Sequence, residues 1–316
     1  MAGEPMNICV LGGTGFVGSA LVNRLARDGH WIRVPTRNPV RGEHLRVLPT
    51  VELVTANVHD PGTLGRLVTG MDAVINLVGI LNEHGRCTFR LVHAALAQKL
   101  LAALKAARVR RLLQMSALGA DVGGPSRYLR SKGEAEAHIR AAAAHLDFTF
   151  FRPSVIFGPG DSLTNRFADV LRLSGGVLPL ARARARFAPV YVNDVAEAFA
   201  RALSDRKTHG QSYELCGPQV MTLEQLVRTT AQAAGRRCLI LGLPDPIGRL
   251  QAALLGVLPG KPLTLDNFRS LTLDSVCTDP GCERLGLTPR TMAQILPSYL
   301  APPPAPPGGF TSFGVT

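Results

Sequence analysis

A short apolar run that leads directly into a glycine-spaced turn constrains this 316-residue chain more than any other feature. The run begins at Met6 and reads MNICVLGGTGFVG, in which residues 8–11 suit a buried parallel strand. Side chains would block a pyrophosphate or the strand–helix contact at Gly12, Gly15 and Gly18. Apolar residues after the turn recur at helical intervals, so a helix N-terminus faces an anion there. The segment predicts the strand, turn and helix that bind a dinucleotide.

The pattern beyond this turn alternates between strand-like and helix-like segments. Further strands are predicted at residues 31–34, 51–55, 73–78, 111–115 and 148–152. Helical spacing predicts long helices over residues 88–107 and 126–144. Six such units make an α/β fold, a doubly wound parallel sheet of the Rossmann type.

The alternation stops at Pro153, after which glycine and proline interrupt the pattern repeatedly. Parts of residues 189–217, including a helix over residues 193–203, are expected to return to the sheet and complete it. The expected division is an NAD(P)-binding Rossmann domain at residues 1–155, a smaller substrate-side domain at 156–300 and a disordered, proline-rich tail at 301–316.

Composition indicates a globular protein of a reducing compartment. The six cysteines form no C-x-x-C pair and no regular spacing, so neither a disulfide framework nor a zinc site is favoured. The eight histidines lack the spacing of metal ligands, and no metal is assigned. Because the first strand is reached by Asn7 and no apolar run extends over about 18 residues, we expect neither a secretory signal nor a membrane span. The expected location is cytoplasmic.

The formal net charge of +12 favours anionic ligands: phosphorylated small molecules, acidic lipid or nucleic acid. Aromatic residues make up only 5% of the chain and are not interleaved with the basic ones. A stacking platform for nucleic acid is therefore not expected.

The segment after the second strand decides the choice of dinucleotide. An acid there binds a ribose 2′-hydroxyl, whereas a base binds a 2′-phosphate. No carboxylate occurs between Asp28 and Glu43, and Arg37 and Arg41 lie in that interval. NADP(H) is therefore expected as cofactor, and NAD(H) is less favoured. The alternative interpretation is that both arginines are ordinary solvated loop residues.

Other cofactor contacts are expected where further strands end. Asn57 and Asp60 follow the third strand and reach the adenine, or Asp60 instead caps the next helix. Gly79 lets the backbone pass close to the cofactor, or only terminates the fourth strand. The full set of expected cofactor contacts is Gly12, Thr14, Gly15, Phe16, Val17, Gly18, Arg37, Arg41, Asn57, Val58, Leu77, Val78, Gly79, Lys132, Pro153 and Val155.

Tyr128 and Lys132 stand four residues apart, hence on one face of a helix. A phenol exchanges protons with a carbonyl or hydroxyl near neutral pH when a cation favours its phenolate, and Lys132 is the candidate cation. Ser116 ends the preceding strand, where it is expected to polarise a substrate oxygen. These three residues form the predicted catalytic group.

Several further runs carry a resemblance to a known superfamily. They are SRYLRSK at 126–132, RPSVIFG at 152–158, NRFA at 165–168, PVYVNDV at 189–195, PLTLD at 262–266 and LGLTP at 285–289. Together with the glycine turn they resemble short-chain dehydrogenases/reductases of the extended or atypical kind, which are similar to NAD-dependent epimerases and dehydratases. The runs resemble in particular the branch of the NADPH-binding accessory subunit of mitochondrial complex I and its bacterial relatives. The resemblance implies tight NADPH binding, with or without turnover.

Two functions of different class fit these features. One is an NADP(H)-dependent oxidoreductase that passes hydride to or from a carbonyl or hydroxyl carbon of an unidentified substrate. The other is a non-catalytic accessory, assembly or redox-sensing protein linked to complex I or quinone metabolism, peripheral to the inner membrane. A third, nucleotide-sugar epimerase or dehydratase, is disfavoured by the 12-residue step from Ser116 to Tyr128 and by Asn57, where relatives often have aspartate.

Two weaker signals lie in the second half of the chain. Arg182, Arg184 and Arg186 alternate with alanines and in an extended segment would point the same way, towards solvent or towards an anionic group. Residues 239–258 are rich in leucine and broken by prolines. Core packing is the expected role of this leucine-rich segment, with a lid, a partner-binding face or a shallow membrane contact as alternatives.

Overall fold

A seven-stranded parallel sheet organises the protein, whose computed structural model describes residues 4–258 and 260–301. The strands in chain order are β1 (Asn7–Leu11), β2 (Trp31–Thr36), β3 (Val51–Thr55), β4 (Ala73–Asn76), β5 (Arg111–Met115), β6 (Asp147–Pro153), β7 (Ile156–Phe157), β8 (Val177–Ala181), β9 (Arg186–Phe187), β10 (Val190–Tyr191), β11 (Gln211–Leu215), β12 (Met221–Thr222) and β13 (Leu239–Leu243). The large sheet has the order β11-β6-β5-β4-β1-β2-β3, and every neighbouring pair in it is parallel. The predicted Rossmann-type α/β fold is confirmed.

Helices cover both faces of this sheet, as apolar strands buried on both sides require. The α-helices of the described residues are, in chain order, α1 (Phe16–Arg27), α2 (Pro61–Val68), α3 (Leu96–Ala107), α4 (Arg127–Ala141), α5 (Thr164–Leu173), α6 (Val192–Ser204), α7 (Leu223–Ala233), α8 (Asp245–Leu255), α9 (Leu265–Ser270), α10 (Gly281–Arg284), α11 (Met292–Ile295) and α12 (Pro297–Leu300). The predicted helix over residues 88–107 is interrupted, because its first part, Arg90–Ala95, is π-helical.

The strand at the β6 edge of the sheet comes from the second half of the chain. β11 pairs with β6 in parallel, with Tyr213 opposite Phe151. α6 returns to the sheet as well, since Val195, Phe199 and Leu203 are buried in the same core as the strands. The two halves of the sequence therefore share one sheet, and the boundary at residues 155/156 stays a prediction.

Three two-stranded sheets and short helices form the remainder of the second half. The pairs are β7 with β10, β8 with β13, and β9 with β12. The segment between β8 and β9 is not extended throughout, because Arg182 adopts a φ of +53° and its guanidinium pairs with Asp245. The prediction that Arg182, Arg184 and Arg186 point the same way therefore has no extended segment to support it.

A disulfide joins Cys216 to Cys277 and corrects the expectation drawn from cysteine spacing. The partners are 61 residues apart and meet because the chain returns to β11, which Cys216 directly follows. The spacing of the cysteines along the sequence does not indicate such a contact. Over residues 4–258 and 260–301, none of the helices combines the length and apolar character needed to cross a bilayer. The predicted tail at residues 301–316 lies outside the described residues from 302 onward.

His93, on the π-helical turn, ties three elements together from a buried position. Its Nε2 accepts a hydrogen bond from the Ile80 amide at 3.2 Å. The Ser131 hydroxyl donates to the Tyr128 carbonyl oxygen, so His93 Nδ1–H donates to Ser131 Oγ at 2.8 Å. Both ring nitrogens of a neutral imidazole are thereby satisfied. Burial, with a smaller contribution from Lys132, lowers the pKa of His93 to about 2.

This depressed pKa predicts a loss of stability in acid. Below pH 6.5, the ordinary pKa of histidine, His93 binds a proton in the unfolded chain but stays neutral in the folded protein. Its contribution to the free energy of unfolding is fully present above that pH and falls by ~1.4 kcal/mol per pH unit below it. Urea unfolding of wild type and His93→Gln at pH 7, 6 and 5 should show this slope in their difference. His44→Gln, at an exposed histidine, is the control, and an equal slope in wild type and His93→Gln would refute the assignment.

Candidate functional site

The glycine turn brings three backbone segments into contact at the carboxyl edge of the sheet. Gly12 has a φ of +81°, and a Cβ there would lie 3.1 Å from backbone atoms of Leu77 and Val78 after β4. A Cβ on Gly18 would lie 2.2 Å from the Gly12 carbonyl oxygen. Only glycine permits these approaches. On Gly15 a Cβ would meet only the Gly12 carbonyl oxygen, at 3.2 Å, which leaves its outer side open.

The N-terminus of α1 is free to receive an anion. Its N-cap is Gly15, without a side-chain cap, and its first turn, from Phe16 and Val17 onward, holds no acidic residue. Thr14 lies beside Thr36, with 3.5 Å between their hydroxyl oxygens. A helix N-terminus without a side-chain cap, after a turn whose one side chain is that of Thr14, fits the pyrophosphate of a dinucleotide.

Basic groups gather where β2 and β3 end. Arg37 follows β2 and is exposed, and Arg41 is exposed on the 3₁₀ turn that comes next. Lys99 of α3 donates to the His59 carbonyl oxygen at 2.8 Å. Burial lowers the pKa of His59 most, and the positive charges of Lys99 and Arg37 lower it further. The sequence analysis missed His59 and Lys99, since one lysine in an Ala/Leu-rich helix carries no signal.

The residues after β3 are held by local hydrogen bonds. Asp60 caps α2 by accepting from the Thr63 amide at 2.7 Å, and its bonds to Thr63 lower its pKa. Asn57 is exposed and accepts from the His59 amide, while Val58 is buried. Asp60 thus takes the capping role of its two alternatives, and Asn57 keeps its amide group at the surface.

The segment after β4 lies between the glycine turn and α4. A Cβ on Gly79 would lie 3.4 Å from both Lys132 Nζ and His93 Nε2. Val78 is fixed by its amide, which donates to the Asn76 side chain at 3.2 Å. Leu77, Val78 and Gly79 therefore run from the turn to the Lys132 ammonium. Pro153 and Val155 mark the end of β6, where their carbonyl oxygens accept from Leu118 and Val190.

Tyr128 and Lys132 lie on α4 with distinct surroundings. The Tyr128 ring packs edge-on against Phe89 and His93, each at a centroid distance of 5.7 Å. Over the described residues, none hydrogen-bonds to its hydroxyl. Lys132 is buried, and its Nζ donates to the Met115 carbonyl oxygen at 3.2 Å.

The protonation preferences of the pair differ from those expected. Burial raises the pKa of Tyr128 to about 12. Burial also lowers the pKa of Lys132 to about 8, against the opposing pull of Glu136. Lys132 was expected to favour the phenolate, whereas the cause of the shift in the Tyr128 pKa is desolvation, which favours the neutral phenol. At neutral pH the phenol keeps its proton and the ammonium keeps its charge.

The Ser116 hydroxyl already has a hydrogen-bond partner within the protein. It is buried and donates to Glu136 Oε1 at 2.6 Å. The same carboxylate forms a bidentate pair with Arg152, whose pKa it raises. To polarise a substrate oxygen, as predicted, Ser116 would have to leave a charge-assisted hydrogen bond. The structure thus places Tyr128 and Lys132 one turn apart on α4 and leaves Ser116 with Glu136.

A carboxylate from the second half of the chain caps the helix that carries Tyr128. Asp266 is buried on α9, and its two oxygens accept from the amides of Arg127 (2.8 Å) and Tyr128 (3.0 Å). The Ser270 hydroxyl donates to Ser126 Oγ at 2.8 Å and strengthens the contact. Asp266 ends the PLTLD run noted above, the one signal by which the sequence could have identified it.

The chain is similar to a known protein family and to named proteins of other organisms. The NAD(P)H-binding family matches residues 12–206. The mitochondrial NADH dehydrogenase (ubiquinone) 1 alpha subcomplex subunit 9 of Arabidopsis thaliana is 32% identical over 285 residues, covering 85% of this chain and 70% of the relative. A ceramide reductase of Caulobacter vibrioides is 31% identical over 258 residues, covering 78% of this chain and 76% of that protein.

The fold is also that of a solved enzyme. The NADPH-dependent quinone oxidoreductase QOR2 of Escherichia coli, complexed with NADPH, superposes with a TM-score of 0.72 at 21% identity, covering 91% of this chain and 97% of that one. The chain therefore belongs to the NAD(P)H-binding Rossmann family, and within it to the relatives of the complex I alpha subcomplex subunit 9.

Proposed function

We propose that the protein is an NADP(H)-dependent oxidoreductase of the short-chain dehydrogenase/reductase type that reduces a carbonyl group. The observation that carries the proposal is the Tyr128 hydroxyl, which has no hydrogen-bond partner in the described chain and lies on the same helix face as the buried Lys132 ammonium. A proton donor thus lies one helical turn from a fixed cation, and this cation lies beside Gly79 at the edge of the sheet.

The protonation states support the direction of the reaction. Bound NADPH supplies the hydride, and the chain must supply a proton to the carbonyl oxygen. With a pKa of about 12, Tyr128 holds that proton at neutral pH and is a general acid rather than a base. Lys132 stays charged below about pH 8 and stabilises negative charge that develops on the phenol oxygen as the proton leaves.

The preference for NADP(H) rests on charge. Arg37 and Lys99 both lie close enough to His59 to lower its pKa, so positive charge collects beyond the ends of β2 and β3. No carboxylate lies in residues 29–42 to receive a ribose 2′-hydroxyl. A 2′-phosphate is the ligand group that such a cluster favours.

A second candidate is a protein that holds NADPH without turnover, as part of a respiratory assembly. The relative in Arabidopsis thaliana is a subunit of complex I. The hydrogen bond from Ser116 to Glu136 favours this reading, because it removes the second donor that a reductase places on the substrate oxygen.

Replacing the phenol separates the two candidates. Tyr128→Phe should reduce the rate of NADPH oxidation by about 10²–10⁴-fold, the usual contribution of a general acid. Absorbance at the NADPH band is followed with a panel of aldehydes, ketones and quinones, and the NADPH dissociation constant serves as control and should not change. If neither wild type nor variant oxidises NADPH with any member of the panel while both bind it tightly, the accessory role replaces the reductase.

The cofactor preference is tested at Arg37. Arg37→Ala should weaken NADPH binding by about tenfold, the loss of ~1.4 kcal/mol for one charge-assisted contact, and should leave NADH binding unchanged. Fluorescence titration of both cofactors measures the change. Arg46→Ala, also exposed, is the matched control. Equal weakening of NADPH and NADH would contradict a 2′-phosphate contact.

The cap that Asp266 forms on α4 should contribute to the stability of the folded protein. Asp266→Ala leaves the amides of Arg127 and Tyr128 without their acceptor and should lower the free energy of unfolding by ~1–2 kcal/mol. Asp266→Asn keeps one acceptor oxygen and should cost less. Urea denaturation compares both with Asp169→Ala, which removes only an exposed ion pair and should change stability by less than ~0.5 kcal/mol. Equal stability of Asp266→Ala and wild type would exclude the capping role.

A further inference from the structure

α8 buries its small residues and exposes its large apolar ones, the reverse of the usual arrangement for a helix that packs on a core. Gly248 and Ala252, four residues apart, are the buried positions of this helix. A Cβ on Gly248 would lie 3.0 Å from the Ala181 Cβ and 3.1 Å from the Phe268 ring, so the helix approaches its neighbours closely. A helix that served only to cover a core would turn its large apolar residues inward.

The large apolar side chains of α8 instead point to solvent. Ile247, Leu250 and Leu254 follow the i, i+3, i+7 spacing of one helix face and are 53%, 60% and 60% exposed. The core role expected for residues 239–258 therefore holds for the small residues of α8 and not for these three.

The strands beside α8 extend the same surface. Along β8, residues 177, 179 and 181 share one face, and Ala181 on that face packs in a core cluster with Ala252 of α8. The Gln251 side chain donates to the Pro179 carbonyl oxygen, so the helix lies directly against this strand. Leu239 and Leu241 are opposite residues 177 and 179 in β13 and are exposed. We call Ile247, Leu250, Leu254, Leu239, Leu241 and Val177 the outer apolar face.

The charges around the outer apolar face are mostly positive. Over residues 236–258 the charged side chains are the exposed Arg236, Arg237 and Arg249 and a single acid, Asp245. Asp245 is paired with Arg182 at 2.7 Å. Exposed apolar side chains flanked by arginines are typical of contact with a lipid surface that carries negative charge.

A second copy of the chain fits this surface less well. A two-fold contact would place each arginine of one outer apolar face near those of the other, and like charges oppose association. An anionic bilayer neutralises the same arginines and receives the leucines between its head groups. The 11 residues of α8 suit a helix that lies in the plane of the interface.

We propose that the outer apolar face docks on the surface of an anionic phospholipid bilayer, with α8 lying along it and Arg236, Arg237 and Arg249 contacting lipid phosphates. This surface is independent of the cofactor site and uses none of the residues assigned to it. Its occupant is a membrane surface, bound without insertion of a spanning helix.

Flotation with phospholipid vesicles tests the proposal. Wild type without cofactor should float with vesicles of phosphatidylcholine and phosphatidylglycerol at 7:3 (~30% anionic lipid) and bind much less to phosphatidylcholine alone. Leu250→Asn and Leu254→Asn should each lower the partition coefficient by about tenfold. Arg249→Gln should lower it about fivefold, the equivalent of ~1 kcal/mol per basic residue at the surface.

The control is Val47→Asn, at an exposed apolar residue that precedes β3, a strand at one edge of the large sheet; it should bind as wild type does. Circular dichroism and the NADPH dissociation constant establish that each variant is folded. Absence of vesicle binding by wild type, or wild-type binding by both leucine variants, overturns the proposal. A wild-type dimer in light scattering that Leu254→Asn converts to a monomer overturns it in favour of self-association. None of these readouts depends on turnover, so they fail or succeed separately from the proposed reductase activity.

Discussion

The close contact between Gly18 and the backbone of Gly12 and Gly13 is the constraint on which the site depends. A single methyl group at position 18 would lie 2.2 Å from the Gly12 carbonyl oxygen and 2.6 Å from Gly13 Cα. Because no side chain intervenes, α1 starts directly at the edge of the sheet with its first amides unobstructed. The turn also touches the backbone after β4, so the anion site and the segment leading to Lys132 are fixed relative to each other.

α4 is held along its length by interactions that come from distant parts of the chain. Asp266 accepts from its first amides, and Glu136 in its middle binds Arg152 and Ser116. A Cβ on Gly133 would lie 2.4 Å from the Asp121 carbonyl carbon, so the helix also presses on the loop after β5. Tyr128 and Lys132 therefore sit on a helix with little freedom to move, which is the condition under which a proton donor retains its geometry.

Local sequence patterns predicted the elements whose formation depends on their own residues. Periodic apolar positions placed the first six strands of the sheet, and the glycine spacing placed the turn, because strand burial and steric exclusion act over a few residues. The absence of carboxylates between Asp28 and Glu43 likewise identified the basic segment after β2. The boundaries were less accurate: β2 runs on to Thr36 and β4 ends at Asn76.

The features that sequence could not supply all depend on contacts between distant residues. The Asp266 cap spans more than 130 positions, and Lys99 meets His59 across 40. The tertiary fold decides whether the Ser116 hydroxyl lies against a substrate or against Glu136. The local sequence around a serine at the end of a strand is the same in both cases. The same holds for α8, where the leucine-rich sequence indicated core packing but the side that turns inward is set by the space left beside Ala181 and Phe268.

The disulfide between Cys216 and Cys277 gives the second half of the chain a topology that its fold alone would not have. The backbone between these cysteines includes α7, α8 and α9, so Asp266 and all of the outer apolar face except Val177 belong to one covalent ring. A protease that cuts once inside this ring would leave two pieces that cannot diffuse apart, with the capping carboxylate still tethered to the edge strand β11. The oxidised chain thus stays a single covalent particle after a nick inside this ring, whereas the reduced chain holds the same pieces by non-covalent contacts alone.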